Sequence, residues 1–225
     1  MEKIIKEFYI YDFKELKEDI QKELIEKERD KQRDSYCEFY LEQDMEYKAS
    51  ELLEEYFGIT DIDLKTYYDL SYSQGSGSMV EFNINIEDLN NKYKVFNEEE
   101  IRFIQDKGLI NNISVYHNDN YYYHEYTFTI GFDSYYGNYC EYEEIKEDYN
   151  ISEEDFNTIE ERIDSLITCD NKHYTDNVFV KDIISMNKEL TKYGYECIEY
   201  FWNCDKEEII SYLEDYKYLE SGEIY

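Results

Sequence analysis

Apolar residues recur at spacings of three and four near both ends of the chain and alternate with polar residues in its middle. That pattern predicts helices around a central β region. The opening EFYIY reads as a short strand ending at Asp12. Glu15 lies three residues beyond Asp12, the capping-box spacing, and Phe13, Leu16, Ile20 and Leu24 then mark one face of an amphipathic helix. The stretch ERDKQRD at 28–34 is polar all round and predicts a break. A second helix is expected from Tyr36 to Phe57, with Tyr36, Phe39, Tyr40, Tyr47 and Tyr56 supplying much of its apolar content, stopped by Gly58 in the C′ position.

In the β region, YYDLSY and MVEFNINI flank QGSGS, with Gly75 and Gly77 supplying the turn. Phe82, Ile84 and Ile86 alternate with Glu81, Asn83 and Asn85, as in a half-buried strand. Asn97, with Glu100 at N3, caps a short helix ending near Gly108. INNISVYH and YYYHEYTFTIGF predict a second hairpin turning across Asn118, Asp119 and Asn120. Three helices follow. Ser152 caps the first, whose apolar face is Phe156, Ile159, Ile163 and Leu166. The second begins near Thr175 and crosses Gly194 toward Trp202. Asp205 caps the third, with Glu208 at N3, and YKYLESGEIY closes as a strand. This order is that of an α+β fold, one antiparallel sheet built from hairpins with several helices packed on it. Residues 1–225 read as a single domain, within which 151–225 could form a helical C-terminal subdomain.

Charge changes the picture most. The chain has 55 Asp and Glu against 23 Lys and Arg, a formal net charge of −32 on 225 residues, with 28 Tyr and no Pro. An aromatic share of 18% argues against disorder, because Tyr buries ring area while its hydroxyl stays wet. A surface this negative repels nucleic acid and anionic membranes and is drawn to basic surfaces, of which nucleic-acid-binding grooves are the commonest. Spread over roughly 11,000 Å², the carboxylates would average about one per 200 Å². Duplex DNA, taken as a cylinder ~20 Å wide, carries about one charge per 110 Å². Mimicry of nucleic acid therefore requires the carboxylates to cluster.

Three acidic clusters stand out. CEYEEIKEDYNISEEDF at 140–156 contributes Glu141, Glu143, Glu144, Glu147, Asp148, Glu153, Glu154 and Asp155, with Tyr142 and Tyr149. The second helix contributes Glu42, Asp44, Glu46, Glu51, Glu54 and Glu55. The C-terminal stretch adds Glu207, Glu208, Glu214, Asp215, Glu220 and Glu223. For any one cluster a solvated helix face is the simpler explanation, and Glu153, Glu154 and Asp155 would also favour a helix N-terminus. The whole-chain excess exceeds what solubility needs.

Catalytic and metal signatures are thin. A calcium loop starting at Asp148 would place Glu153 where Gly is required and Ile159 where the bidentate Glu belongs. Cys169 and His173 lack a second pair, and His117 and His124, which could face each other across the second hairpin, read better as hairpin aromatics. There is no P-loop, dinucleotide fingerprint, GxSxG or HExxH. No enzyme activity, metal or cofactor is expected. The five Cys are odd in number and read as reduced thiols of a cytosolic protein. No apolar run follows the charged start, so no signal peptide is expected, and no stretch is long enough to span a membrane.

The hairpin YYDLSYSQGSGSMVEF, with Tyr72-Ser73, Gly75-x-Gly77 and Phe82, resembles a motif of small acidic accessory proteins of bacteriophages and prophages. The lead-in EFYIYDFKELKEDIQKELIEK, the segment VYHNDNYYYHEYTF and the closing EDYKYLESGE are similar to that family's strand-then-helix opening, His/Tyr hairpin and C-terminal end, in the same order. This sequence departs at Ser76, where Asp is expected, and in its length and charge. The resemblance implies a phage accessory protein, similar to inhibitors of host defence such as anti-CRISPR and anti-restriction proteins, and it carries over no catalytic residues. The expectation is a non-enzymatic inhibitor in the host bacterial cytoplasm. It would bind a basic nucleic-acid-binding protein, foremost a CRISPR effector nuclease, and would itself bind neither nucleic acid nor membrane. An antitoxin or immunity-like partner of a basic toxin is the alternative.

Overall fold

The computed structural model describes residues 9–60, 63–106, 110, 112–118, 122–133, 152, 154, 157–159, 161–162, 177–203 and 206–225. It is an α+β fold. Two compact units are distinguished, one formed by Met1–Glu42 with Tyr195–Tyr225 and the other by Gln43–Gly194.

In the first unit, β1 (Tyr11–Asp12) pairs antiparallel with β6 (Lys217–Tyr218), the strand predicted for the tail. Asp12 N–H donates to Glu15 at 2.9 Å across a single 3₁₀ turn, Phe13–Glu15. The first long helix, α1, then runs Glu18–Phe39. The predicted break at 28–34 does not occur. Lys31 pairs with Glu28 and Arg33 with Asp30, each three residues apart, so this polar stretch is laced along the helix surface. The helix yields at Tyr40 instead. Phe13, Leu16, Ile25, Ile209, Leu213 and Tyr218 form this unit's core, with Ile209 and Leu213 supplied by α6 (Lys206–Leu213).

The second unit is built on a meander of order β2-β3-β4-β5. Its strands are β2 (Lys65–Asp69), β3 (Gly77–Asn85), β4 (Asn112–His117) and β5 (Phe128–Asp133). Val80, Phe82 and Ile84 are buried on one face, while Asn83 and Asn85 are exposed on the other, as the alternation predicts. Helix α2 (Leu41–Phe57) packs Phe57 against Phe82 of the sheet and Phe179 of α5 (Val178–Asn203), with ring centroids 5.3 and 5.7 Å apart. Gly58 ends α2 at φ +70° with its N–H on the Glu54 carbonyl, the expected C′ geometry.

Two short helices follow β3. The helix α4 (Glu98–Asp106) opens with the predicted reciprocal cap, in which Asn97 N–H meets Glu100 and Glu100 N–H meets Asn97 at 2.8 and 2.9 Å. The helix α3 (Ile86–Tyr93) is not predicted by the alternation. Ile86 continues the strand's apolar series, but Asn85 accepts from Asp88 N–H and starts a helix there. Gly108, Asp205 and most of the helix expected after Ser152 lie outside the described residues. Among the described residues no helix is long and apolar enough to cross a membrane.

Candidate functional site

Two features of the second unit bear on function. The first is the outward side of α2. Met45, Ala49, Leu52, Leu53 and Phe57 are buried at helical spacing, which forces Glu46, Glu51, Glu54 and Glu55 outward, all exposed. Glu51 pairs with Lys48 at 3.0 Å. Among the described residues Glu46, Glu54 and Glu55 have no ion-pair partner. From Glu46 to Glu55 the helix rises about 14 Å, so its four carboxylates fall roughly one per 4–5 Å. One strand of a duplex carries a phosphate per ~3.4 Å of axis. Along the axis alone this spacing approaches that of a nucleic-acid strand, but at about 100° per residue Glu46 and Glu55 stand about 180° apart around the helix, so the four carboxylates wrap its outward half and do not form a single row.

Glu54 and Glu55 also sit in the last turn of α2, where the backbone dipole disfavours anions, and no basic residue occupies that turn. Beside them, Asp88, Asn91 and Lys92 of α3 complete an open groove of about 440 Å³. Lys92 does not neutralise its rim. Its ammonium is bound to Asp182 at 2.8 Å and ringed by Phe57, Tyr93 and Tyr56 at 4.9, 5.3 and 5.8 Å from the ring centroids. Tyr93 donates to Asp182 at 2.7 Å and Tyr56 to Glu189 at 2.6 Å. Burial first, and the adjoining carboxylates second, push both phenols above their usual range.

Both units are acidic throughout. Counted by residues, the second unit holds 33 Asp and Glu against 12 Lys and Arg, the first 22 against 11. In the first unit basic side chains are drawn into ion pairs, Lys14 with Glu214, Lys17 with Glu220 and Lys217 with Asp12. The second unit is about twice as long as the first, so the net negative charge per residue is nearly the same in both, and what distinguishes α2 is local clustering.

The second feature was not foreseen as a site. The predicted hairpin turn at 118–120 is replaced by a longer connection. Pairing of β4 with β5 ends at His117 and Phe128, and pairing of β3 with β4 ends at Phe82 and Val115. The first half of β3 is thus left without a strand on one edge. Two side chains of α5 take that place: Ser78 N–H donates to Thr191 Oγ1 at 2.8 Å and Val80 N–H to Asn187 Oδ1 at 3.1 Å. Asn187, fully buried, also reaches the Glu125 carbonyl at 3.5 Å.

Into this splayed end folds the segment Tyr122–Thr127, against the QGSG turn. A Cβ on Gly77 would stand 2.9 Å from His124 Cα, and one on Gly75, at φ +95°, would stand 2.5 Å from the Tyr122 ring. Ser71, Ser73 and Ser76 fasten the turn through hydroxyl contacts of 2.9–3.1 Å, and Ser76 Oγ accepts from Ser73 N–H. An Asp at position 76 could accept the same bond, so the serine departure keeps the turn's chemistry. His117 does not face His124. It stacks on Tyr67 at 5.1 Å and meets Tyr123 at 5.0 Å with the rings tilted by 50°, while Tyr67 and Tyr123 themselves stack at 5.7 Å and Glu81 accepts from the Tyr67 hydroxyl. Two of the four stretches quoted for the resemblance, the QGSG hairpin and the His/Tyr segment, thus meet in space.

The remaining predicted residues divide as follows. Glu154 is exposed. Glu141, Tyr142, Glu143, Glu144, Glu147, Asp148, Tyr149, Glu153 and Asp155 lie outside the described residues. No group of three His, Cys, Asp or Glu side chains is placed to hold a metal among the described residues. Cys37 and Cys197 are free thiols. No protein family, curated protein or solved structure matches this chain.

Proposed function

We propose that this chain is a phage-encoded, non-enzymatic inhibitor of a host defence nuclease. Its carboxylates take the place of nucleic acid in a basic guide- or target-binding channel, foremost that of a CRISPR effector. The outward face of α2 carries this reading. Glu46, Glu54 and Glu55 stand exposed without ion-pair partners among the described residues, two of them where the helix dipole opposes them. Such an arrangement costs stability in the free protein, and a cationic partner would relieve that cost. Close interfacial charge pairs couple by about 1.5–7 kcal/mol, enough for a few of them to decide affinity.

Competition tests the reading. The purified protein should displace guide RNA or target DNA from a CRISPR effector, and displacement should weaken steeply with salt. It should not itself retard duplex DNA, single strands or RNA in a gel. Sub-micromolar nucleic-acid binding at physiological salt, or failure to inhibit CRISPR effectors and restriction enzymes alike, would overturn it.

A further inference from the structure

The connection Tyr122–Tyr126 and the QGSG turn enclose an open groove of about 520 Å³ that the acidic face does not include. Its described lining contains no Lys or Arg and one carboxylate, Glu125. Tyr122 is 58% exposed, yet its ring lies flat enough on Gly75 that no side chain fits between them. It is therefore a fixed aromatic surface with one face covered. Tyr126, 39% exposed, also lines the groove. Fixed tyrosines beside Ser, Gly and His make a contact surface of low ordering cost, the composition that antibody loops use to hold protein partners.

The groove already attracts a cation at its rim. Lys188 places its ammonium 5.4 Å from the Tyr126 ring centroid, 3.3 Å from the Tyr126 hydroxyl and 3.9 Å from Glu125. The 3.9 Å separation is too long for a hydrogen bond, so the Glu125 carboxylate, a quarter exposed, keeps acceptor capacity. A planar guanidinium suits the vacancy better than a second ammonium. It can lie on the open face of Tyr122 and present paired N–H groups to Glu125. A phosphate finds no cation inside the groove and meets a unit bearing 33 Asp and Glu against 12 Lys and Arg.

We propose that this groove is a docking site for an arginine side chain of the partner protein, held against Tyr122 and Tyr126 and paired with Glu125. This rests on the reading of the partner as basic, and it adds a specific anchor to what α2 provides as a field. The probe is N-acetyl-argininamide, titrated into the full chain and followed by amide NMR shifts, with the lysine and citrulline analogues as controls. Saturable shifts are expected at Gly75, Ser76 and Tyr122–Tyr126 with a Kd on the order of 1 mM, weaker for lysine and absent for citrulline. Glu125→Gln and Tyr122→Ala should each weaken binding by about three- to tenfold. Lys188→Gln, which removes the competing cation, should tighten it by about two- to fivefold. Shifts that do not saturate, that spread over all acidic segments, or that citrulline reproduces would overturn the proposal, as would tighter binding failing to follow Lys188→Gln. Groove binding without nuclease inhibition would leave the arginine site standing and remove the nuclease reading. Nuclease inhibition unaffected by Glu125→Gln and Tyr122→Ala, with no groove shifts, would do the reverse.

Discussion

Asn187→Leu tests whether α5 completes the sheet where β4 departs. In the native chain Val80 N–H donates to Asn187 Oδ1 at 3.1 Å in a fully buried setting. Leucine nearly fills the amide's volume but accepts nothing, so the Val80 donor is orphaned at about 1–3 kcal/mol. The bond from Asn187 to Glu125 is long, at 3.5 Å, and its loss adds little. Removing a partly satisfied buried amide returns some of the cost, which leaves a net loss of about 1–2.5 kcal/mol. Urea unfolding followed by far-UV circular dichroism measures it. Exchange of the Val80 amide should accelerate in parallel, because its buried acceptor is gone. Asn187→Asp provides the complementary test. A buried carboxylate is held above its unfolded pKa, so the variant should approach native stability below about pH 4 and lose it as pH rises. An Asn187→Leu protein within about 0.3 kcal/mol of wild type, with unchanged exchange at Val80, would refute the reasoning.

Gly77→Val should destabilise the second unit by more than about 2 kcal/mol, because its Cβ would meet the His124 backbone; an unchanged melting temperature would show that Tyr122–Thr127 does not rest on the turn. Tyr93 and Tyr56 keep their protons above the ordinary range of 10.0, so the unfolded chain releases them first and stability should fall as pH rises past that value. Tyr93→Phe should flatten this alkaline loss, and an identical pH profile would count against the Asp182 arrangement. The melting temperature should rise from about 0.02 to about 0.5 M NaCl as screening relieves repulsion; a flat or falling curve would mean that the carboxylates are dispersed or already paired.

What was legible in the sequence was local. The helix of α2 is legible, but its aromatics do not mark its buried face: Met45, Ala49, Leu52 and Leu53 set which way it faces, while Phe39, Tyr40 and Tyr47, expected to supply apolar content, are exposed. The Asn97–Glu100 cap and the Gly58 stop act through neighbours in sequence, and the Phe82–Ile84 alternation needs only one buried face. Errors arose where distant residues decide. The polar stretch at 28–34 stays helical because its own charges pair at i,i+3 in a helix whose apolar face is buried by α6. Tyr122–Tyr126 has strand-like composition, yet it leaves the hairpin where β4 parts from β3, because Asn187 and Thr191, more than sixty residues away, satisfy the β3 edge that a longer β4 would have covered. The groove followed from that non-local substitution. No local pattern announces it: the two glycines signal a turn, and the His/Tyr run reads as an ordinary hairpin strand.

The most direct test of the central claim is inhibition of a guide-loaded CRISPR effector by the variant carrying Glu46→Gln, Glu51→Gln, Glu54→Gln and Glu55→Gln together. These residues are exposed, so the fold should persist by circular dichroism. Loss of several charge pairs at about 1.5 kcal/mol each should raise the inhibition constant at least ~100-fold at physiological salt. A parallel variant at Glu141, Glu143, Glu144, Glu147 and Asp148 reports whether the second acidic stretch shares the contact. A large loss in the α2 variant, reduced at high salt, is the predicted result. Inhibition equal to wild type in both variants would contradict the account.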